Sequence, residues 1–237
     1  MTYIFHIRRQ ERAQRPAYWQ DFTYDGQPGD SVAQALTVLN GRSPLRDRDG
    51  REAAPIRWQR SCLVRKCGAC AMVIDGVPAL ACSTFLSGLS GPVITLEPLS
   101  LFPVVADLIV DRSFLYDRLK DWQIWLEHPA ASSAWNWKNG YEAARCLLCG
   151  CCLEVCPNAS PQSLFAGAAA AVQAYRILAR ETGDSPHRRH LRQAYRQQYF
   201  EHCGQSMACQ QVCPARLPVT DLLACANSLA LWKHSRW

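Results

Sequence analysis

Cys146-Leu147-Leu148-Cys149-Gly150-Cys151-Cys152-Leu153-Glu154-Val155-Cys156-Pro157 gathers five of the chain's thirteen cysteines into one short run. With Cys152 as the third member the spacing is C-x2-C-x2-C-x3-C-P; Cys151 in that place would break both later intervals. In runs of this bacterial type, three thiolates hold one iron–sulfur cluster and the fourth reaches a neighbouring cluster. The run therefore demands a partner segment. Cys203-Gly204-Gln205-Ser206-Met207-Ala208-Cys209-Gln210-Gln211-Val212-Cys213-Pro214 has the same spacing, with Ser206 in the place of the second cysteine. It reads as a degenerate second copy of the first run.

Exchanging the fourth cysteines predicts two clusters. Cys146, Cys149 and Cys152, completed by Cys213, offer four thiolates and suit a [4Fe–4S] cube. Cys203 and Cys209, completed by Cys156, offer three, because the Ser206 hydroxyl is a poor match for a site that selects soft ligands. A cube with one unligated corner tends to lose that iron, so [3Fe–4S] is expected there. Serine ligation of a fourth iron is the alternative.

A second motif lies upstream. Cys62-Leu63-Val64-Arg65-Lys66-Cys67-Gly68-Ala69-Cys70 is C-x4-C-x2-C, followed by Cys82, which is the plant-type spacing for a [2Fe–2S] cluster. A zinc site is the alternative use of four cysteines. Gly68 lets backbone amides approach the sulfurs without a side chain in the way. Arg60, Arg65 and Lys66 crowd the loop, and positive charge there would raise the potential above the roughly −400 mV of plant-type ferredoxins.

The surrounding pattern places these motifs. Residues 3–8 and 17–24 alternate like the strands of a hairpin, with a turn around Gln10–Arg15. Asp30 or Ser31 can cap a helix to about Asn40, its apolar face formed by Val32, Ala35, Leu36 and Leu39, with Gly41 as terminator. Ala71–Ile74 and Val77–Ala81 flank Asp75-Gly76, a strong hairpin signal, and Val93–Leu96 is a further strand. After Pro103 the pattern turns helical. Helices are expected from Val104–Asp111 toward Lys120, over Ser163–Arg180 with Ser163 as cap, over His187–His202 and over Thr220–Lys233. The fold expected is α+β, with a [2Fe–2S] domain at 1–102 and an α-helical domain of bacterial-ferredoxin kind, carrying the other two clusters, at 103–237.

In a chain of 237 residues with a net charge of +6, half the residues are apolar. The charge suits a membrane surface or an acidic protein partner, or is an ordinary slightly basic surface; no nucleic-acid partner is expected. The N-terminus lacks the apolar core of a secretory signal, and no apolar run approaches the ~20 residues of a membrane span. Cysteines at metal-site spacings without an export signal point to a reducing compartment rather than to disulfides. Trp122, Trp125, Trp135 and Trp137 fit either a membrane interface or core and subunit contacts. Cys151 and Cys225 are read as buried small hydrophobes. No nucleotide-binding glycine fingerprint or nucleophile–base pair stands out, so no catalytic residue is assigned.

A plant-type motif, the segment Phe102–Asp111, C-x2-C-x2-C-x3-C-P and C-x5-C-x3-C-P, in that order, resemble the iron–sulfur subunit of succinate dehydrogenase/fumarate reductase over essentially the whole chain. The resemblance implies a plant-ferredoxin-like β-grasp domain followed by a bacterial-ferredoxin-like helical domain. It carries [2Fe–2S] onto Cys62, Cys67, Cys70 and Cys82, [4Fe–4S] onto Cys146, Cys149, Cys152 and Cys213, and [3Fe–4S] onto Cys156, Cys203 and Cys209. It also implies a non-catalytic electron-transfer subunit between a FAD-containing flavoprotein subunit and quinone at a membrane anchor, peripheral on the cytoplasmic face of the bacterial inner membrane. In the mitochondrial-like branch, tryptophans follow the first Cys-Pro and a histidine follows the first three-iron ligand. Here those places hold Asn158-Ala159-Ser160-Pro161 and Gly204, so menaquinone is expected rather than ubiquinone. A subunit of a different flavin-dependent oxidoreductase and a soluble multi-cluster carrier are the alternative readings.

Overall fold

Alternation sets the first sheet. In β1 (Thr2–Arg9) the side chains of Tyr3, Phe5, Ile7 and Arg9 are buried while their neighbours face outward, the period-2 pattern of a half-buried strand. β2 (Tyr18–Asp25) returns antiparallel, from Arg9 opposite Tyr18 to Thr2 opposite Asp25. In this computed structural model, residues 1–129, 137–181 and 183–232 are described. α1 (Val32–Asn40) starts where the Ser31 hydroxyl accepts the Gln34 amide at 3.1 Å, and it buries Val32, Ala33, Ala35, Leu36 and Leu39.

β3 (Ala71–Ile74) and β4 (Val77–Leu80) form the expected hairpin. Asp75 and Gly76 take φ of 47° and 77°, the two positive values that match a two-residue turn to strand twist. The Asp75 carboxylate accepts the Thr95 amide at 2.7 Å, tying the turn to β5 (Val93–Glu97). β5 runs parallel to β1 and antiparallel to β3, giving the order β2-β1-β5-β3-β4. Phe5, Ile7, Phe22, Leu36, Leu39 and Ile94 are fully buried, and each such side chain contributes about 1.5–3 kcal/mol.

The helix expected from Val104 is not formed. β6 (Val104–Ala106) and β7 (Ile109–Val110) make a two-stranded hairpin instead. Val104, Val105, Ile109 and Val110 are β-branched and favour strands, and Asp107 between them has φ 47°. Its buried carboxylate accepts the amides of Gln10 and Arg57, both at 2.9 Å. The Arg9 Nε lies 3.1 Å away, an ion pair whose angle does not make a hydrogen bond. The other Arg9 nitrogens donate to Gln20 Oε1 and to the carbonyls of Ala54 and Pro55. The hairpin thus belongs to a unit spanning Met1–Asp111, and the second unit begins at Arg112.

The second unit is helical: α2 (Ser113–Asp121), α3 (Trp137–Ala144), α4 (Cys151–Glu154), α5 (Gly167–Leu178), α6 (Pro186–Gln198), α7 (Ala208–Gln211) and α8 (Val219–Leu231). α5 begins four residues later than expected, and Ser163 instead closes a turn by accepting the Phe165 amide at 2.9 Å. Every α5 residue except Arg176 is buried, so its alanines serve close packing on several sides rather than one apolar stripe. Gly167 permits a close approach: a Cβ there would lie 2.2 Å from the Leu153 side chain. Trp122 is fully buried and donates to Gln198 Oε1 at 2.9 Å, which makes it core and excludes it from a membrane-interface group. Trp125 and Trp137 are exposed, and Trp135 lies outside the described residues. Among the described residues no helix is long and apolar enough to cross a membrane.

Candidate iron–sulfur sites

The β3–β4 register builds the first site. With Ala71 opposite Leu80, Cys70 precedes one strand where Ala81-Cys82 leaves the other, and the Ala81 amide donates to the Cys70 carbonyl at 3.1 Å. Cys62 and Cys67 come from the loop before β3. Leu63, Arg65 and Gly68 take φ of 54°, 56° and 74°, which turns successive amides inward as an anion-binding nest. The amides of Val64 and Lys66 donate to the Cys62 sulfur at 3.5 and 3.2 Å, and that of Arg65 donates to Cys82 at 3.3 Å. Those of Val64 and Lys66 bring the Cys62 thiol down to about 7. Burial pushes Cys70 up to about 12, with Cys82 and Cys67 close beside it. Four sulfurs, one too buried to ionise without a cation, fit an iron-bound thiolate set. The Arg65 and Lys66 side chains are exposed, so at these two positions it is the main chain that meets the sulfurs.

In the helical unit the two runs share a backbone as well as a spacing. Leu148 and Gly150, two and four residues after Cys146, have φ of 49° and 91°. Gln205 and Met207, at the same offsets from Cys203, have 53° and 57°. One-turn helices follow at equal distance, α4 carrying Cys152 and α7 carrying Cys209. A left-handed residue other than glycine costs roughly 1–2 kcal/mol, so only glycine at the Gly150 place is free of strain.

Two cavities lie against these helices. The first is lined by Cys146, Cys149, Cys152 and Cys213 within an apolar wall of Ala168, Ala169, Val172, Leu217 and Val219. The second, of about 400 Å³, is lined by Cys156, Cys203 and Cys209 with Asn158, Phe165, Tyr199, Ser206 and Asn227. The fourth cysteine of each run therefore faces the cavity of the other run. Cys152, Ala168 and Cys209 line both cavities and form their shared wall.

Burial raises the Cys146 and Cys152 thiols, and the charges of neighbouring cysteines add to it. Cys149 moves the other way, to about 7, chiefly through the Cys151 side chain beside it, with Arg112 nearby. Cys151 is fully buried, as expected, and the Cys149 side chain beside it and burial push its thiol up. Cys225 is half-buried and lies 3.6 Å from the Asn139 amide nitrogen. Tyr199 and Cys203 both line the second cavity, and Ser206 lies exposed on the rim. Asn158 and Gly204 are neighbours: Asn158 Nδ2 donates to the His202 carbonyl at 2.6 Å, and a Cβ on Gly204 would stand 3.2 Å from it. Among the described residues no three His, Cys, Asp or Glu side chains converge to hold a single metal ion; the cysteines ring the cavities instead. The amides of Val64–Lys66 were not singled out from sequence as partners of these sulfurs, since their role depends on backbone angles.

Two family models match the chain: a 2Fe-2S iron-sulfur cluster binding domain over residues 4–117 and a 4Fe-4S dicluster domain over residues 142–217. The chain is 34% identical to the succinate dehydrogenase iron-sulfur subunit of Bacillus subtilis, covering 95% of this chain and 91% of that one. It is 26% identical to the fumarate reductase iron-sulfur subunit of Wolinella succinogenes, covering 93% and 92%. The fold matches a chain of the Mycobacterium smegmatis Sdh1 complex in the apo form, with a TM-score of 0.77 at 21% identity over 97% and 95% of the two chains. Cluster-type cysteine loops, two cavities that exchange their fourth cysteines and near full-length similarity agree: this chain belongs to the family of succinate dehydrogenase and fumarate reductase iron–sulfur subunits.

Proposed function

We propose that the chain is the electron-transfer subunit of a succinate:quinone oxidoreductase, linking the FAD of a flavoprotein subunit to quinone at a membrane anchor. Cys62, Cys67, Cys70 and Cys82 hold [2Fe–2S]; Cys146, Cys149, Cys152 and Cys213 hold [4Fe–4S]; Cys156, Cys203 and Cys209 hold [3Fe–4S]. Bound there, the clusters supply one-electron transfer. The observation that carries the reading is the exchange of Cys156 and Cys213 between two cavities that share Cys152 and Cys209 as a wall. The protein's own contribution is positioning and tuning. The nest at Val64–Lys66 donates N–H groups to thiolates that carry negative charge. The apolar wall of the first cavity keeps water from its sulfurs.

The anchor's quinone is menaquinone on this reading. A Cβ at Gly204 would stand 3.2 Å from Asn158 Nδ2, so the two departures from the ubiquinone-type pattern are neighbours. The chain lies peripherally on the cytoplasmic face of the membrane. The test is low-temperature EPR of the complex isolated from native membranes, before and after succinate. A three-iron signal that vanishes with succinate while a [2Fe–2S] signal grows is the expected result. The same oxidised signal without response to succinate would move the chain to a different flavoprotein.

A further inference from the structure

The two cavities differ in what faces their sulfurs. Apart from the cysteines, the side chains lining the first are all apolar. The second takes one face of α8 as part of its wall: Thr220, Leu223, Ala224 and Asn227 stand at i, i+3, i+4 and i+7. Asn227 brings a primary amide to a cavity that also holds Cys156, Cys203 and Cys209. Its Oδ1 accepts the Tyr195 hydroxyl at 2.7 Å. That bond settles which end of the amide is which, because a phenol O–H needs an acceptor and an amide NH2 offers none. Tyr195 is fully buried on α6, its ring against those of Trp122 and Tyr199, and it does not line the cavity. The oxygen end is therefore turned away from the cavity, and Nδ2 is the end left to it. Among the described residues Nδ2 meets no acceptor. Two other polar groups of that wall are engaged elsewhere: Asn158 Nδ2 donates to the His202 carbonyl and the Thr220 hydroxyl to Gln210 Oε1, both at 2.6 Å.

We propose that Asn227 raises the reduction potential of the cluster held by Cys156, Cys203 and Cys209 by presenting an N–H donor to its sulfur, with Tyr195 as the positioning residue that holds the amide in that orientation. The proposal rests on the ligand assignment above. Reduction adds negative charge that is shared over the sulfurs, so a donor facing them stabilises the reduced form and raises the potential. The amide is held before an electron arrives, so the donor need not reorient when the charge appears.

The test is an EPR-monitored redox titration of the full complex carrying Asn227→Leu, which keeps the branched shape and removes the donor. The three-iron midpoint is expected to fall so that the reduced-to-oxidised ratio at a fixed ambient potential drops about tenfold, ~59 mV for one electron. The other two midpoints stay in place. An intact three-iron signal with an unmoved midpoint overturns the proposal and leaves Asn227 only the task of tying α8 to α6. Should Asn227→Leu fail to assemble the cluster, Tyr195→Phe decides, since it removes one oxygen and releases the amide to turn: a smaller fall upholds the proposal, and no change overturns it. A wild-type complex without any three-iron signal would remove the ligand assignment itself, and this proposal with it.

Discussion

Ser206 stands three residues after Cys203 as Cys149 stands three after Cys146, on loops with matching left-handed positions. One atom separates the two places chemically, oxygen against sulfur. Ser206→Cys is therefore expected to supply the missing thiolate at the rim of the second cavity. Iron content should rise by about one atom per chain as a four-iron cube forms, and the oxidised three-iron EPR signal should disappear. A variant that keeps that signal would show that the Ser206 position does not reach the fourth corner. The cysteine ligand candidates were legible because their spacing is a local, one-dimensional signal. Their hydrogen-bond partners were not. Arg65, whose amide donates to Cys82, lies 17 residues from it, and nothing in its side chain marks that role in advance.

Among the elements, α6 is fastened by a buried histidine. His187 is 3% exposed; its Nδ1 meets the Glu181 carboxylate and its Nε2 meets the Gln123 carbonyl at 2.7 Å, while Trp125 stacks on the ring. Burial alone would lower its pKa, but the Gln123 carbonyl and Glu181, with Glu127 nearby, outweigh it and leave the value raised above 6.5. Arg188 also faces Glu181 and competes for its charge. A raised folded value means that the stabilisation is complete below 6.5 and is lost as pH rises through the folded pKa. Urea midpoints of the full chain should thus decline across that window, and His187→Gln should flatten the decline. An unchanged slope in the variant would assign the pH dependence to another group. Helix α6 was expected over His187–His202 and spans Pro186–Gln198. The clamp was not, because Gln123 and His187 are 64 residues apart.

At the scale of the whole molecule, the chain divides into two units with separate cores, and the place of the division shows what sequence patterns miss. The β3–β4 hairpin was legible because Asp75-Gly76 carries its own turn chemistry. The β6–β7 hairpin was not: its turn residue Asp107 is held by Gln10 and Arg57, 97 and 50 residues away. A boundary after residue 102, as expected from sequence, would remove Asp107 and leave the buried Arg9 without its counter-charge. Breaking a buried ion pair from one side costs about 3–5 kcal/mol, because the remaining charge stays out of water. A fragment spanning 1–111 is accordingly expected to assemble its [2Fe–2S] cluster and to unfold at higher urea than a fragment spanning 1–102, by a difference of that order. Arg9→Met in the shorter fragment should recover part of the loss, since it removes the orphaned charge. Equal stability of the two fragments would mean that the hairpin only decorates the N-terminal unit, and the functional boundary would return to residue 102.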